Sequence, residues 1–215
     1  MRLLLSLCSL IGIALSMHGY LSTSKQTSTT FSCMKNKGYS YFITRLYKST
    51  GQVDNDGIGY AALAWINQYS RVDGYIFPCT GSGCPSPDIQ ARDTVNALNA
   101  ANVAVHTIFI DVEPAHWGSN KNNSQSFIRT MGQTLGYYGV SWGIFASYND
   151  WHDIVGVNWT AVSYQPLLWA RNNNKADLTS DFKSFGGWNR PDLHDYWQNT
   201  FGPCNLAIEE IYLDG

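Results

Sequence analysis

The sequence has few charged residues and no strong excess of either sign. Among its 215 residues, 14 are Lys or Arg and 16 are Asp or Glu, which leaves a formal net charge of −2 at pH 7. A protein that binds nucleic acid would show a basic stripe along the chain. No such stripe is present, so the composition argues against a nucleic-acid partner.

Long apolar runs are also missing, except at the N-terminus. The apolar run at residues 3–15 follows a basic start at Arg2 and ends near the small residue Ser16, which is the pattern of a secretory signal peptide. The run is too short to span a membrane. We therefore predict that residues 1–16 are a signal peptide. Residues 17–215 should then form one monomeric domain without membrane contact, which is secreted or delivered to the lumen of a lysosome or phagosome.

Motifs of several common enzyme classes are absent as well. The sequence has no Gly-x-Ser-x-Gly turn, which would hold the nucleophile of a serine hydrolase. It has no glycine-rich phosphate turn after its first predicted strand. Its cysteines do not show the spacing of zinc ligands and no paired histidines lie near them, so we expect no metal there.

Four cysteines remain after the predicted signal peptide, and they are Cys33, Cys79, Cys84 and Cys204. An even number of cysteines in an exported chain suggests two disulfide bonds. The short glycine-rich loop from Cys79 to Cys84 favours a local bond, which leaves Cys33 to pair with Cys204. Four cysteines allow three pairings, so the other two remain open.

The residues that carry chemistry converge on one stretch, residues 107–114 (TIFIDVEP). Its β-branched and aromatic residues predict a strand. Side chains alternate along a strand, so Phe109, Asp111 and Glu113 share one face, while the apolar residues between them should pack under helices. Two carboxylates thus lie side by side at the C-terminal end of a strand, where α/β folds place their chemistry.

Two neighbouring carboxyl groups cannot ionise independently. Repulsion and partial burial raise the pKa of one group, which then keeps its proton near neutral pH while the other group is charged. Cleavage of a glycosidic bond needs such a pair, with one acid for the leaving oxygen and one carboxylate beside the positively charged centre. A solvated strand end or a cation site is the alternative interpretation of Asp111 and Glu113.

Predicted strands and helices alternate along the whole chain, with about eight strands and no linker or low-complexity tract. This alternation predicts an α/β fold with a parallel sheet. Eight units fit a single flattened (β/α) barrel, in which the helices after the fifth strand are degenerate. An open doubly wound sheet is the alternative, although it would normally carry the missing glycine-rich turn.

Several of these segments together resemble the Chalaropsis-type lysozymes, which are N-acetylmuramidases with a flattened β/α barrel, and above all their secreted eukaryotic members. In chain order, the segments are YSYFITR at 39–45, FIDVE at 109–113, WGIFASY at 142–148, LWA at 168–170 and WQ at 197–198. The resemblance extends over nearly the whole mature chain.

The resemblance implies hydrolysis of the β-1,4 bond between N-acetylmuramic acid and N-acetylglucosamine in bacterial peptidoglycan, without a metal or cofactor. It implies Glu113 as the general acid and Asp111 as its charged partner. In the second step, the nucleophile is either an enzyme carboxylate or the substrate's own acetamido group, which Asp111 would then orient. Candidate substrate contacts are Tyr148, Trp169 and Gln198. Alternatively, Tyr148 packs at the barrel mouth and Trp169 is a core residue. Gln198 could instead form a hydrogen bond with a neighbouring loop.

Two positions depart from the family pattern. The first strand of the family usually carries an Asp that residues 19–22 (GYLS) lack. The last strand usually carries an Asp where this chain has Glu209 and Glu210, and Glu209 is the better counterpart, so it is the third candidate catalytic carboxylate. The missing Asp makes a catalytically weakened glycan-binding protein the alternative function. A hydrolase of another hexosamine polymer, such as chitin, is a third.

Overall fold

In the computed structural model of the protein, which describes residues 17–114 and 117–214, the strands form one sheet that closes on itself. The predicted signal peptide lies outside the described residues. The strands are β1 (Met17–Leu21), β2 (Tyr41–Lys48), β3 (Gln52–Val53), β4 (Arg71–Ile76), β5 (Ile108–Asp111), β6 (Trp142–Ala146), β7 (Leu167–Ala170), β8 (Leu193–Phe201) and β9 (Ala207–Leu213). The helices are α1 (Ser28–Asn36), α2 (Asn55–Ile66), α3 (Pro87–Ala100), α4 (Lys121–Tyr137) and α5 (Tyr148–Ile154).

The ring contains eight strands in the order β1, β2, β4, β5, β6, β7, β8 and β9, and it closes because β1 pairs with both β2 and β9. Every pair in the ring is parallel except those that β9 makes with its two neighbours. Strand β3 is a short antiparallel extension of β2 outside the ring. The predicted (β/α) barrel is thus confirmed, and the open doubly wound sheet is wrong.

The helices shorten towards the end of the chain, as predicted. Helix α4 has 17 residues and α5 has 7. Beyond α5, the described residues form no α-helix, only a 3-10 turn at Pro203–Asn205. Residues 179–185 form no helix, because the backbone of Asp181 is left-handed (φ 65°) and interrupts the turn that Asp177 caps at Thr179 and Ser180.

Alternation along the strands divides the apolar side chains between two cores. One core lies between the barrel and its helices and includes Ile108, Ile110 and Val112 of the central strand. The other fills the barrel itself and includes Phe109 of the same strand and Phe145 of β6. The predicted alternation is therefore confirmed: Phe109 and Asp111 belong to the inner face, and the residues between them pack under the helices.

Both predicted disulfide bonds are present. Cys33 in α1 bonds to Cys204 in the 3-10 turn, with Cα atoms 6.1 Å apart, and so joins the first helix to the segment before the last strand. Cys79 bonds to Cys84 and closes the loop after β4, with Cα atoms 5.5 Å apart.

Of the helices in the part of the chain that the structure describes, none combines the length and apolar character that crossing a membrane requires.

Candidate active site

A cavity of about 300 Å³ opens at the end of the barrel where the parallel strands finish. Four of the predicted site residues line it, namely Asp111, Glu113, Glu209 and Gln198. Asp111 is the last residue of β5, whereas Glu209 comes from the first half of the antiparallel strand β9. Closure of the barrel therefore brings together carboxylates that lie almost one hundred residues apart in sequence.

Asp111 and Glu113 lie at different depths. Asp111 pairs with Phe145 in the sheet and is only 3% exposed, and its Oδ1 atom has no hydrogen-bond partner among the described residues. Glu113 follows the end of β5 and is half-buried. The indole Nε1 of Trp117 donates a hydrogen bond of 2.9 Å to the backbone oxygen of Glu113 and so holds the bend that presents this residue. Glu113 is thus the more accessible acid of the pair.

The pKa of Glu113 is raised from its ordinary value of 4.5 to about 7, mainly by burial and then by the charges of Glu209 and Asp150. Asp150 is held near the barrel end by Ser147, whose Oγ lies 2.5 Å from its Oδ2 and caps α5. A carboxyl group with this pKa keeps its proton in mildly acidic solution and can give it up near neutrality. This is the behaviour expected of a general acid.

Burial also raises the pKa of Asp111 well above its usual range, and the charges of Glu113 and Glu209 raise it further. The sequence led us to expect that Asp111 is charged while Glu113 keeps its proton. The structure instead raises the pKa of both groups, because several carboxyl groups share one poorly solvated cavity and cannot all ionise. In the free protein, the protons are therefore distributed over the cluster.

Asp195 is a further carboxylate near the cavity, and no motif in the sequence pointed to it. It belongs to β8, is fully buried and sits on the inner side of the barrel with Leu193. The side-chain amide of Gln198 donates a hydrogen bond of 2.6 Å to its Oδ2 atom. The alternation of Leu193 and Asp195 in a predicted strand was the available signal. From that strand, only residues 197 and 198 stood out in the sequence, so the inward position of Asp195 was not apparent.

Arg45 brings a positive charge to the cavity wall, and it is a second residue that the analysis missed. Its Nε donates a hydrogen bond of 2.8 Å to Asp54, which also receives Lys48 at 3.2 Å. Because Arg45 is paired with Asp54, its positive charge has a weaker effect on the carboxylates of the cavity. Tyr75 of β4 also lines the cavity and is nearly buried.

Leu21 is the last residue of β1, the strand that lacks the Asp usual in the family. Its side chain belongs to the inner core and lines the cavity, and in the β1–β9 pairing it stands opposite Glu209. The first strand therefore contributes no carboxylate to this cavity. The nearest acidic side chain on the neighbouring strand is Glu209 itself.

Tyr148 and Trp169 line a separate cavity of about 390 Å³, not the one that holds the carboxylates. Trp169 is 2% exposed, stacks on His194 at 4.2 Å between ring centroids and meets Phe182 edge to face. This packing favours the alternative that Trp169 is a core residue, and its contact with substrate stays a prediction. Tyr148 is half-buried, with the ammonium of Lys183 3.9 Å from its ring centroid, and its contact with substrate stays a prediction.

A (β/α) barrel with a cluster of carboxylates at its C-terminal end, one of them with a pKa near 7, has the architecture of a glycoside hydrolase.

A family model described as Lysozyme-like protein 1 matches residues 16–196. Lysozyme-like protein 5 of Caenorhabditis elegans is 33% identical over 210 residues, which cover 98% of this chain and 96% of that protein. Probable GH family 25 lysozyme 2 of Dictyostelium discoideum is 31% identical and covers 96% of this chain and 95% of its own.

Solved structures agree on the fold. The family GH25 lysozyme from Aspergillus fumigatus superimposes with a TM-score of 0.72 at 14% identity, over 94% of this chain and 95% of that chain. The bacterial lysozyme from Streptomyces coelicolor superimposes with a TM-score of 0.73, also at 14% identity, over 94% and 93%. The chain belongs to the family 25 lysozymes and is a glycoside hydrolase.

Proposed function

We propose that this protein is an exported N-acetylmuramidase that hydrolyses the β-1,4 bond between N-acetylmuramic acid and N-acetylglucosamine in bacterial peptidoglycan. The observation that carries the proposal is the position of Glu113, a half-buried acid with a pKa of about 7, in one cavity with Asp111 and Glu209. The two disulfide bonds are consistent with an oxidising compartment, and residues 1–16 would direct the export.

Glu113 acts as the general acid in this proposal. Below about pH 7 its carboxyl group holds a proton, which it transfers to the oxygen of the leaving sugar as the glycosidic bond breaks. Once it has lost this proton, Glu113 serves as the base that activates a water molecule in the second step. The rate of hydrolysis should therefore fall as the pH rises through about 7, because the fraction of protonated Glu113 falls.

Asp111 acts beside the sugar carbon that becomes positively charged. The charged form of Asp111 would stabilise this carbon, and the positive charge in turn favours that form because it lowers the pKa of the carboxyl group. Its Oδ1, which is buried without a partner among the described residues, would accept the N–H of the substrate's acetamido group and orient that group towards the sugar carbon. Gln198 and Tyr148 would contact the flanking parts of the glycan.

A non-catalytic glycan-binding protein is the second candidate function. The observation that favours it is Leu21, which leaves the first strand without a carboxylate in the cavity. A binder would still hold the sugar chain in the same cavity, but it would lack the full set of charges around the bond.

The two functions are separated by the loss of turbidity in a suspension of purified bacterial cell walls, measured from acidic to neutral pH. We expect lysis by the native protein, and we expect Glu113→Gln to reduce the rate by about 10²- to 10⁴-fold because the proton donor is gone. Binding of the variant to the same walls, measured by co-sedimentation, controls for loss of fold. Retained binding without lysis by the native protein would instead support the binder.

The sugar specificity needs a separate measurement. Analysis of the new reducing ends should show N-acetylmuramic acid after digestion of peptidoglycan. Release of N-acetylglucosamine ends, or faster hydrolysis of chitin oligomers than of cell walls, would contradict the muramidase assignment.

A further inference from the structure

We propose that Asp195 is a positioning residue whose protonated carboxyl group donates a hydrogen bond to the carboxylate of Glu209, and that this pair provides the negative charge that Leu21 cannot. The inference rests on the proposed function, because it concerns the acid that would cleave the glycan. Asp195 lies outside all the segments that resemble the family, so the resemblance gives it no role.

The first argument is the accounting of hydrogen bonds around Asp195. Its side chain is fully buried, and its Oδ2 accepts the amide N–H of Gln198 at 2.6 Å. Its Oδ1 is buried as well and receives no donor from any described residue. A buried charged oxygen without a partner destabilises the fold, because it loses its hydration and gains no hydrogen bond in return. In the sheet, Asp195 pairs with Ile211 of β9, and Glu209 lies two residues before Ile211 on the same face of that strand. This places the carboxyl group of Glu209, which is also an acceptor, beside the side chain of Asp195.

Two acceptors attract each other only when one of them carries a proton. Burial and the neighbouring charge of Glu209 raise the pKa of Asp195 well above its usual range, whereas the hydrogen bond from Asp195 opposes the rise that burial imposes on Glu209. Asp195 is fully buried, but Glu209 lines the cavity and is only partly buried. The proton therefore belongs on Asp195, and the charge belongs on Glu209.

No cation is available to replace that proton among the described residues that face the pair. The neighbouring strands and helix contribute Asp111, Glu113, Asp150, Tyr75 and Arg45. Of these, only Arg45 is positive, and it is already paired with Asp54.

The charge on Glu209 acts on the catalytic centre. After burial, it is the largest cause of the raised pKa of Glu113. Glu209 stands directly opposite Leu21 in the β1–β9 pairing, so it supplies negative charge next to the place where the first strand has none. A carboxylate on this flexible side chain needs a fixed donor to keep its position, and Asp195 is that donor.

The proposal is tested by Asp195→Asn and Asp195→Ala. An asparagine reproduces a protonated aspartate, because its oxygen accepts from Gln198 while its N–H donates to Glu209. An alanine removes the donor, so the pKa of Glu209 rises further and less of its negative charge acts on Glu113. The titration midpoint of Glu113, measured by ¹³C NMR of labelled glutamate carboxyl groups and assigned with Glu113→Gln, should stay unchanged in the asparagine variant. It should fall by roughly one pH unit in the alanine variant.

Three further outcomes are decisive. If Asp195 were ionised, Asp195→Asn would remove a charge and lower the midpoint as much as Asp195→Ala, which would overturn the proposal. Unchanged midpoints in both variants would overturn it too, since Asp195 would then only fill space. If the alanine variant does not fold, Glu209→Gln replaces it and should lower the midpoint of Glu113 in the same way.

Asp192→Asn is the matched control. Asp192 precedes β8 and accepts a hydrogen bond from the backbone N–H of Leu167, the first residue of β7, at the end of the strands opposite the cavity. It should not move the midpoint of Glu113. The titration needs no catalysis, so it decides the role of Asp195 even if the native protein does not lyse cell walls. In a lytic protein, the alkaline limb of kcat/KM should follow the same order of variants.

Discussion

Glu113 should make the protein less stable at alkaline pH, and Glu113→Gln should remove this penalty. The pKa of Glu113 rises from an ordinary value of 4.5 in the unfolded chain to about 7 in the folded protein. The folded state therefore binds this proton more tightly than the unfolded state. The resulting stability is fully present below pH 4.5 and is lost as the pH rises through about 7. A pKa change of this size corresponds to about 3 kcal/mol.

Urea denaturation followed by tryptophan fluorescence measures this effect in the native protein and in Glu113→Gln, at pH 4.5 and at pH 8 (roughly 1 unit above the raised pKa). The unfolding free energy of the variant minus that of the native protein should be higher at pH 8 than at pH 4.5. We expect this increase to be up to about 3 kcal/mol. Asp153→Asn, which changes an exposed side chain of α5, controls for the general loss of one carboxylate. An equal difference between variant and native protein at both pH values would refute the claim that the fold itself raises the pKa of Glu113.

The other predictions concern the partner acid, the long-range disulfide bond and the buried Trp169. Asp111→Asn should keep the fold by circular dichroism but lose most lytic activity, and unchanged turnover would contradict its role beside the sugar. Replacing Cys33 and Cys204 together by serine should lower the unfolding free energy by up to about 5 kcal/mol on chain-entropy grounds, which thermal unfolding would detect. Trp169→Ala should cost about 3–5 kcal/mol of stability because the indole is packed in the core. If Trp169→Ala instead lost glycan binding at unchanged stability, Trp169 would be a sugar contact.

Local patterns account for the features that the sequence revealed. The alternation of apolar and acidic residues around Asp111 has a period of two, and it identifies the face of a strand without knowledge of its neighbours. The loop from Cys79 to Cys84 is short enough to favour its own disulfide bond, which leaves the distant pair by elimination. The regular succession of strands and helices predicts the barrel, because parallel strands require such crossovers.

Features that depend on neighbours from distant parts of the chain were missed or misjudged. Trp169 looked like a sugar contact because it lies on a barrel strand, but the ring of His194 from the next strand covers it. Asp195 looked unremarkable because its importance comes from Glu209 on another strand. The charge state expected for Asp111 was also incomplete, since several carboxyl groups beyond the local pair act on it.

The order of residues alone determined the barrel, the pair of acids on its central strand and the pairing that was favoured for the cysteines, because each follows from short-range periodicity or spacing. Only the closed barrel decided which acids share a cavity, how deeply each is buried and which of them holds a proton. The physical reason is that a pKa depends on desolvation and on every nearby charge, and in this protein those charges come from strands that are distant in sequence.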